Sequence, residues 1–315
     1  MKGELGLPYT GVATFLGAPM GRPEDLRQGS VGVLGVPWDS GVGFRPGARA
    51  APRALRHASM RYRLGQKGFF DVEEERYRLR DVHLLDLGDV DILYLDVEET
   101  FSRVTEAVKA IAARKAIPLV LGGDHSITFP AVRGLLEADT VSELFIVQFD
   151  AHLDFRHEVH GVRLANSSPI RRISELEGVR GGVNFGVRGW RTSEDDYRQA
   201  IARGFQPVLA KAIHRQDREG RLEELLDLVP PGIPLYVTLD IDGIDPSLAP
   251  GTGSPEPEGL TYTQVKTLLR ALGRQNPIAG IDLVEVNPYF DPTERTLLVG
   301  VALLLEALTA ALDRI

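Results

Sequence analysis

Three short segments hold most of the residues whose types and spacing could do chemistry. Each places carboxylate or imidazole side chains just after an apolar run of strand length. They are GGDHS with His125, DAHLD with Asp150, His152 and Asp154, and LDIDGIDP with Asp240, Asp242 and Asp245. Side chains of an extended chain repeat every two residues, so the spacing in DAHLD points its three functional groups to one side and likewise pairs Asp240 with Asp242.

Four of these carboxylates would repel one another in a single crevice without a counter-charge. The four are Asp150, Asp154, Asp240 and Asp242. Two divalent cations would neutralise them, and bridging carboxylates would hold the ions roughly 3.5–4 Å apart. A ligand set dominated by oxygen favours a hard ion such as Mn²⁺ over Zn²⁺. Such ions lower the pKa of a shared water, so the predicted reaction is hydrolysis at an electrophilic centre.

Each of these residues also has a structural interpretation. Aspartate at a strand end commonly caps a helix or stabilises a turn, and for Asp245, which precedes Pro246, that alternative stays open. Isolated histidines are more often structural than ligands, which applies to His57, His83 and His214. The clustered segments favour metal binding, because a structural explanation would be needed three times independently.

Eight short apolar runs predict the strands that would position these segments. The runs are Val31–Val36, Val82–Leu87, Ile117–Leu121, Leu144–Phe149, Val183–Val187, Phe205–Leu209, Leu235–Leu239 and Ala279–Val284. Most are continuously apolar, which is typical of parallel strands covered on both faces. In open α/β sheets ligands bind at the carboxyl ends of the strands, where all three segments fall.

Segments with helical periodicity lie between many of these strands. They include Val97–Ala113, Phe129–Glu137, Glu194–Arg203, Arg221–Leu228 and Thr263–Leu272. Alternating strands and helices predict one α/β domain over residues 31–315 with a parallel sheet of about eight strands. Residues 1–30, rich in Gly and Pro, predict an arm lying over this domain or a neighbouring subunit. A closed eight-stranded barrel has the same pattern and stays open at this point.

The composition excludes several classes of protein. The 315-residue chain is 43% hydrophobic and 25% charged, as in ordinary globular proteins. Its net charge of −8 argues against general nucleic-acid binding, and the absence of Cys excludes thiolate ligands and cysteine nucleophiles. We find no apolar run of the roughly 18 residues that a membrane helix needs. With no signal-like segment either, we expect a cytoplasmic protein without a membrane partner.

In this order and at these separations, the three segments resemble the metal signatures of the ureohydrolases. This family of arginases and agmatinases hydrolyses guanidino groups to urea at a dinuclear manganese site. Residues 44–49 (FRPGAR) and 282–288 (DLVEVNP) resemble further family segments, and residues 11–15 (GVATF) resemble the agmatinase branch. The resemblance implies a three-layer αβα fold with an eight-stranded parallel sheet, and a homo-oligomer, often a trimer or hexamer.

The resemblance also implies a role for each candidate residue. It implies two Mn²⁺ per chain, one held by His125, Asp150, Asp154 and Asp240 and the other by Asp150, His152, Asp240 and Asp242. Asp150 and Asp240 would bridge the ions, and Asp154 would hydrogen-bond the attacking hydroxide. Glu285 would bind the guanidinium, since a carboxylate suits a planar fork of donors. The alternative for Glu285 is a structural salt bridge.

The loop after DAHLD departs from the family pattern. Many members carry a His there as a proton shuttle, but this chain has Asn166, which cannot carry a proton at neutral pH. We interpret Asn166 as a substrate-binding residue. His160, followed by Gly161, is a candidate catalytic replacement because His titrates near pH 7, or it is a solvated loop residue. Without it, Asp154 or solvent would protonate the leaving amine.

The same loop bears on the substrate. It lacks the arginase pattern and resembles agmatinase-like NSSP variants, so we expect hydrolysis of agmatine to putrescine and urea, a reaction of polyamine biosynthesis. Arg156 and Arg163 would instead favour a carboxylate-tailed substrate such as 4-guanidinobutyrate. Guanidinobutyrase, guanidinase and formimidoylglutamase activities stay open, as does a non-catalytic metal-binding relative. A metal-dependent phosphatase is a further alternative, although we find no Gly-rich phosphate loop.

Overall fold

A computed structural model describes residues 10–313 and contains one large sheet with all strands parallel. The ten strands of this part of the chain are β1 (Val31–Gly35), β2 (Phe69–Asp71), β3 (Arg76–Arg78), β4 (Leu84–Asp89), β5 (Ile117–Leu121), β6 (Leu144–Phe149), β7 (Val179–Val187), β8 (Phe205–Leu209), β9 (Leu235–Asp240) and β10 (Ile278–Val284). The large sheet has the order β4-β1-β5-β10-β9-β6-β7-β8, and β2 and β3 form a separate antiparallel hairpin. Because β4 and β8 lie at opposite ends of this order and do not pair with each other, the sheet is open and the barrel alternative is wrong.

Helices cover both faces of this sheet. They are α1 (Ala51–Ser59), α2 (Val97–Ala112), α3 (Thr128–Glu137), α4 (Pro169–Ile173), α5 (Glu194–Ala202), α6 (Ala210–Arg218), α7 (Tyr262–Gln275) and α8 (Arg295–Leu312). The apolar residues of α1, α6, α7 and α8 belong to one core, and those of α2, α3, α4 and α5 belong to a second. The arrangement is the three-layer αβα fold that the resemblance implies.

The strands supply both cores from alternate residues. In β6, Phe145 and Val147 pack in the first core, whereas Leu144 and Ile146 pack in the second. Successive side chains of a strand point to opposite faces, so a strand buried on both sides is apolar at most positions. This explains why the strands of the large sheet could be predicted from apolar runs, most of them continuous.

Local signals set several boundaries of the helices. Asp96 caps α2 by accepting a hydrogen bond from the Glu99 main chain. Thr261 and Gln264 form a reciprocal capping box at the start of α7, which satisfies main-chain donors that the helix leaves free. The predicted helix Arg221–Leu228 is instead a 3₁₀ run over Leu222–Leu228.

The hairpin β2–β3 was not predicted, because its short strands lack an apolar run. It is held to α7 by ion pairs, in which Arg270 contacts Asp71 at 2.9 Å and Glu74 at 2.6 Å. Residues separated by about 200 positions therefore determine where this hairpin lies.

Part of the predicted N-terminal arm lies against the domain of its own chain. Phe15 and Leu16 are fully buried in the first core. Their main-chain amides donate hydrogen bonds to Asp86 and Ser59, each at 2.8 Å. Residues 1–9 of the predicted arm lie outside the described residues.

Helix α8 is long and apolar enough to cross a membrane by length and composition, with a mean hydropathy of 1.8. This differs from the expectation that no segment reaches that length. However, 67% of the segment is buried inside the protein, and α8 packs against α1, α7 and β10. Such burial is the property of a core helix.

Candidate metal centre

The candidate residues follow four strands that are neighbours at the centre of the sheet, in the order β5-β10-β9-β6. His125 begins a 3₁₀ turn after β5, and Asp150 follows β6 directly. Asp240 is the last residue of β9, and Glu285 follows β10. Parallel strands therefore bring residues from distant parts of the sequence to one edge.

The turn that carries His125 is held by the preceding residue, Asp124. One carboxylate oxygen of Asp124 accepts a hydrogen bond from the Ser126 amide at 2.9 Å, and the other accepts from the Gly41 amide at 2.8 Å. Asp124 is therefore a capping residue that joins this turn to the loop after β1.

One group of four residues surrounds His125. Its Nδ1 lies 3.1 Å from Asp150 Oδ2, 2.9 Å from Asp154 Oδ2 and 3.2 Å from Asp240 Oδ2. The potential ligand atoms of the four residues all lie within 4.8 Å of one another. This is the set that the resemblance implies for one ion.

A second group consists of Asp150, His152 and Asp242. His152 Nδ1 lies 3.1 Å from Asp242 Oδ2 and 3.5 Å from Asp150 Oδ1. Asp150 belongs to both groups, as a bridging ligand would. Asp240, the other residue that the resemblance assigns to both ions, lies in the first group only. It hydrogen-bonds the Asp242 amide at 2.8 Å.

The segment DAHLD is bent, whereas the spacing argument treated it as extended. Asp150 accepts a hydrogen bond from the His152 amide, and Asp154 has a left-handed φ of 49°. The bend sends Asp154 toward the first group and His152 toward the second. Their side chains therefore point to one centre through a turn and not through strand alternation.

The pKa shifts of these side chains reflect an excess of negative charge in the site. Burial lowers the pKa of His152, but Asp242 and Asp150 outweigh burial and raise it to about 12. Burial and the charge of Asp150 raise the pKa of Asp154 to about 6. Burial, together with Asp242 and Asp150, raises the pKa of Asp240 well above its usual range. Shifts of this kind are expected where several carboxylates share one buried crevice, and bound cations would relieve the repulsion between them.

These residues fit divalent metal ions. The buried His125 Nδ1 has no hydrogen-bond partner of good geometry among residues 10–313, although three carboxylate oxygens surround it. A nitrogen so placed among oxygens is available as a ligand. Oxygen-rich groups with one imidazole each suit a hard ion such as Mn²⁺.

Glu285 lies beside these groups, in a left-handed conformation with a φ of 60°. Its Oε1 accepts hydrogen bonds from the His125 amide at 3.0 Å and from Asn166 Nδ2 at 3.1 Å. Burial and the nearby charge of Asp124 raise the pKa of Glu285 to about 8. A buried carboxylate of this kind would gain from a cationic ligand such as a guanidinium.

A cleft of about 630 Å³ leads to the two groups. Residues of both groups line it, together with Glu285 and Asn166. The exposed His160 also lines the cleft, in a tight turn where Val159 and Val162 exchange main-chain hydrogen bonds of 2.9 Å. The catalytic role of His160 stays a prediction.

Two arginines lie on the wall of the same cleft. Arg156, a residue of the predicted specificity loop, is one, and Arg191 is the other. Arg163 is not a lining residue and pairs with Glu175 at 3.2 Å. Sequence reasoning missed Arg191, although its position just after β7 could have indicated the functional edge of the sheet.

Other residues with open interpretations have structural partners. Asp245 stabilises a turn, since its carboxylate accepts hydrogen bonds from the Ser247 and Gly259 amides at 2.9 Å each. His83 Nδ1 contacts Ser30 Oγ at 2.9 Å. His214 Nδ1 lies 3.1 Å from the side-chain amide of Gln264. None of these three belongs to the groups in residues 10–313 that could hold a metal ion.

The open αβα sheet with paired His/Asp groups at its carboxyl edge defines the arginase-like class of proteins. The profile of the Arginase family matches residues 29–310, and the chain therefore belongs to that family. The resemblance seen in the three segments is confirmed. The family consists of hydrolases that act on C–N bonds of linear amidines, which excludes the phosphatase alternative.

The chain is similar to relatives named for different guanidino substrates. It is 34% identical to human mitochondrial guanidino acid hydrolase over 303 residues, which are 95% of this chain and 83% of that one. It is also 34% identical to mitochondrial agmatinase of Gallus gallus over 277 residues, or 87% of this chain and 79% of that one. The solved structure of proclavaminate amidino hydrolase from Streptomyces clavuligerus superimposes with a TM-score of 0.85, at 28% identity, over 97% of this chain and 99% of that one.

Proposed function

We propose that this chain binds two Mn²⁺ ions and hydrolyses a guanidino carboxylic acid, such as 4-guanidinobutyrate, to urea and an amino acid. The observation that carries the choice of substrate is the pair Arg156 and Arg191 on the wall of the cleft that ends at Glu285. A substrate with a guanidinium at one end and a carboxylate at the other would match this separation of charge.

The geometry of the arginines supports a carboxylate site. Arg191 Nη1 donates a hydrogen bond to Ser254 Oγ at 2.9 Å, and Arg156 Nη2 donates to the Arg191 carbonyl at 3.3 Å. Among residues 10–313, both guanidinium groups hydrogen-bond only to these neutral oxygens. Each retains donors for a substrate carboxylate, which arginine binds in a bidentate manner.

The reaction adds water to the guanidinium carbon and breaks the bond from that carbon to the alkyl-substituted nitrogen. When bound, the ions supply Lewis acidity that activates the water near neutral pH. Glu285 binds the guanidinium, and Asn166 fixes the orientation of Glu285. The leaving nitrogen takes a proton and departs as an amine, with His160 as the proposed donor and Asp154 or solvent as alternatives. The carbon leaves as urea.

Agmatine, which the loop sequence favours, is the second candidate substrate. The observation in its favour is Asp196, which lines the same cleft and could pair with a distal ammonium. However, Asp196 already accepts a hydrogen bond from the Ser193 hydroxyl at 2.6 Å, in the first turn of α5. The two arginines therefore outweigh this single carboxylate.

Urea release by the manganese-loaded protein tests the proposal. The panel is 4-guanidinobutyrate, 3-guanidinopropionate, agmatine, L-arginine and guanidine, with ammonia and formamide release measured for formiminoglutamate. We expect the highest kcat/KM for a guanidino acid. A higher value for agmatine would overturn the substrate assignment, and no turnover with two ions bound would support a non-catalytic relative.

A pair of arginine variants makes this test specific. Arg191→Gln should lower kcat/KM for 4-guanidinobutyrate by about 10–100-fold, the effect of one charge-assisted hydrogen-bonding group, and should not lower it for agmatine. Arg163→Gln is the matched control, since Arg163 does not line the cleft. An equal loss for both substrates in Arg191→Gln would count against a carboxylate site.

A further inference from the structure

His125 has one ring nitrogen toward the metal-binding carboxylates and the other toward the sheet. Nδ1 lies among the oxygens of Asp150, Asp154 and Asp240. Nε2 lies 3.0 Å from Thr238 Oγ1, on β9. Both side chains are fully buried, so water does not compete for this contact.

Thr238 is in turn the neighbour of a buried carboxylate on the next strand. β9 and β10 run parallel in a register that pairs Thr238 with Asp282, which places both side chains on the same face. Asp282 Oδ2 accepts hydrogen bonds from Thr128 at 2.8 Å and from Tyr236 at 2.9 Å. Its Oδ1 is buried and has no partner of good hydrogen-bond geometry among the described residues, but the Thr238 hydroxyl is close enough to act on the Asp282 carboxylate as a hydrogen-bond donor.

The numbers of donors and acceptors determine the direction of the hydrogen bonds in the row formed by His125, Thr238 and Asp282. An ionised carboxylate only accepts, so the single hydroxyl proton of Thr238 is directed to Asp282. The Thr238 oxygen can then only accept from His125, which requires the proton of the neutral imidazole on Nε2. Nδ1 is left with its lone pair facing the metal-binding carboxylates.

We infer that Thr238 and Asp282 are positioning residues that set the tautomer and orientation of His125 for metal binding. Neither lines the cleft, so an effect of either residue on metal binding would pass through His125. Outer partners of metal-binding histidines typically change metal affinity by about 10–100-fold. The inference requires His125 to be a metal ligand but does not depend on which guanidino compound is the substrate.

The test is a titration of metal-free, full-length protein with Mn²⁺. Calorimetry measures the binding, and the electron paramagnetic resonance signal measures the Mn²⁺ that stays free. Thr238→Val keeps the shape but removes the hydroxyl, and should weaken binding of one ion by about 10–100-fold. Thr238→Ser restores the hydroxyl and should bind as the wild type does. Thermal unfolding shows whether each variant is folded.

Asp282→Asn gives a second, independent variant. Thr128 and Tyr236 both need an acceptor, so the asparagine carbonyl should turn to them and its amide should face Thr238. The hydroxyl would then donate to His125 Nε2 and place the ring proton on Nδ1, which should weaken binding of the same ion. Tyr236→Phe is the control, since it removes a bond to Asp282 without changing this row.

The outcomes separate two failures. If the wild type binds no Mn²⁺, the proposed metal centre itself is wrong. If the wild type binds two ions and folded Thr238→Val and Asp282→Asn bind them equally tightly, the positioning role is overturned. Equal weakening in Tyr236→Phe would assign the effect to general packing and would also overturn it.

Discussion

The side-chain amide of Asn166 donates a hydrogen bond to Glu285 Oε1 over 3.1 Å, although the two residues are 119 positions apart. Glu285 also accepts from the His125 amide, so two donors fix one oxygen of this buried carboxylate. The residue at the position where many relatives carry a histidine thus supports the proposed guanidinium anchor. If Glu285 binds the guanidinium, this contact would give Asn166 a role that does not require proton transfer.

Loss of the charge on Glu285 should weaken substrate binding without loss of metal. We expect Glu285→Gln to lower kcat/KM by about 10–100-fold, because a hydrogen bond to a charged group contributes about 1.5–3 kcal/mol. Steady-state kinetics and the manganese content of the purified variant measure both effects. Unchanged turnover would show that Glu285 is not the anchor.

Removal of the Asn166 amide should have a smaller effect of the same kind. Asn166→Ala should raise KM by about 5–10-fold with little change in kcat, since the carboxylate remains but loses one of its two orienting donors. A fall in kcat alone, with unchanged KM, would instead point to a role in the chemical step.

Variants of two aspartates in the segment LDIDGIDP should distinguish a role in metal binding from a role in a turn. Asp240→Asn should weaken binding of manganese by at least about 100-fold, because it removes a charged member of the group around His125. Asp245→Asn is the matched control, since its carboxylate only accepts hydrogen bonds in a turn. Calorimetric titration measures both affinities, and similar losses would contradict the assignment.

A variant of His160 tests whether this residue donates the proton to the leaving amine. We expect His160→Gln to lower kcat by about 100-fold, within the range of general acid catalysis, with manganese content and KM unchanged. A variant with wild-type kcat would leave Asp154 or solvent as the donor and His160 as a solvated loop residue.

Asp291 provides a prediction of stability that is remote from catalysis. Burial would raise its pKa, but hydrogen bonds from Thr293 and Thr296 outweigh burial and lower the pKa to about 2. A carboxyl with a depressed pKa stabilises the folded state above its unfolded pKa of about 3.9 and loses this contribution as the pH falls. Asp291→Asn should therefore cost about 2 kcal/mol at pH 7.

The difference in unfolding free energy between wild type and Asp291→Asn should shrink as the pH is lowered from about 4 to 2. Urea unfolding at several pH values measures this. Asp195→Asn, at an exposed position of α5, is the control and should show no such trend. A difference that is constant with pH would contradict the lowered pKa.

Much of this protein can be read from its sequence. Strands buried on both faces are apolar at most positions, so β1, β5 and β6 appear as largely apolar runs. The chemistry of the site follows from His125 and Asp150 because few structural roles require such groups just after a strand. The arginase-like fold and family followed from motifs, whereas the oligomeric state and location stay predictions.

Only the tertiary structure decided the rest. The order of the strands, the open edge of the sheet and the hairpin β2–β3 depend on contacts between distant residues, such as Arg270 with Asp71. The local periodicity of a sequence does not indicate which distant residues will be in contact. The same holds for Arg191 in the cleft and for Thr238 behind His125. Their roles arise from the strands and loops that lie next to them in space, whereas the ligand types could be recognised from residue chemistry alone.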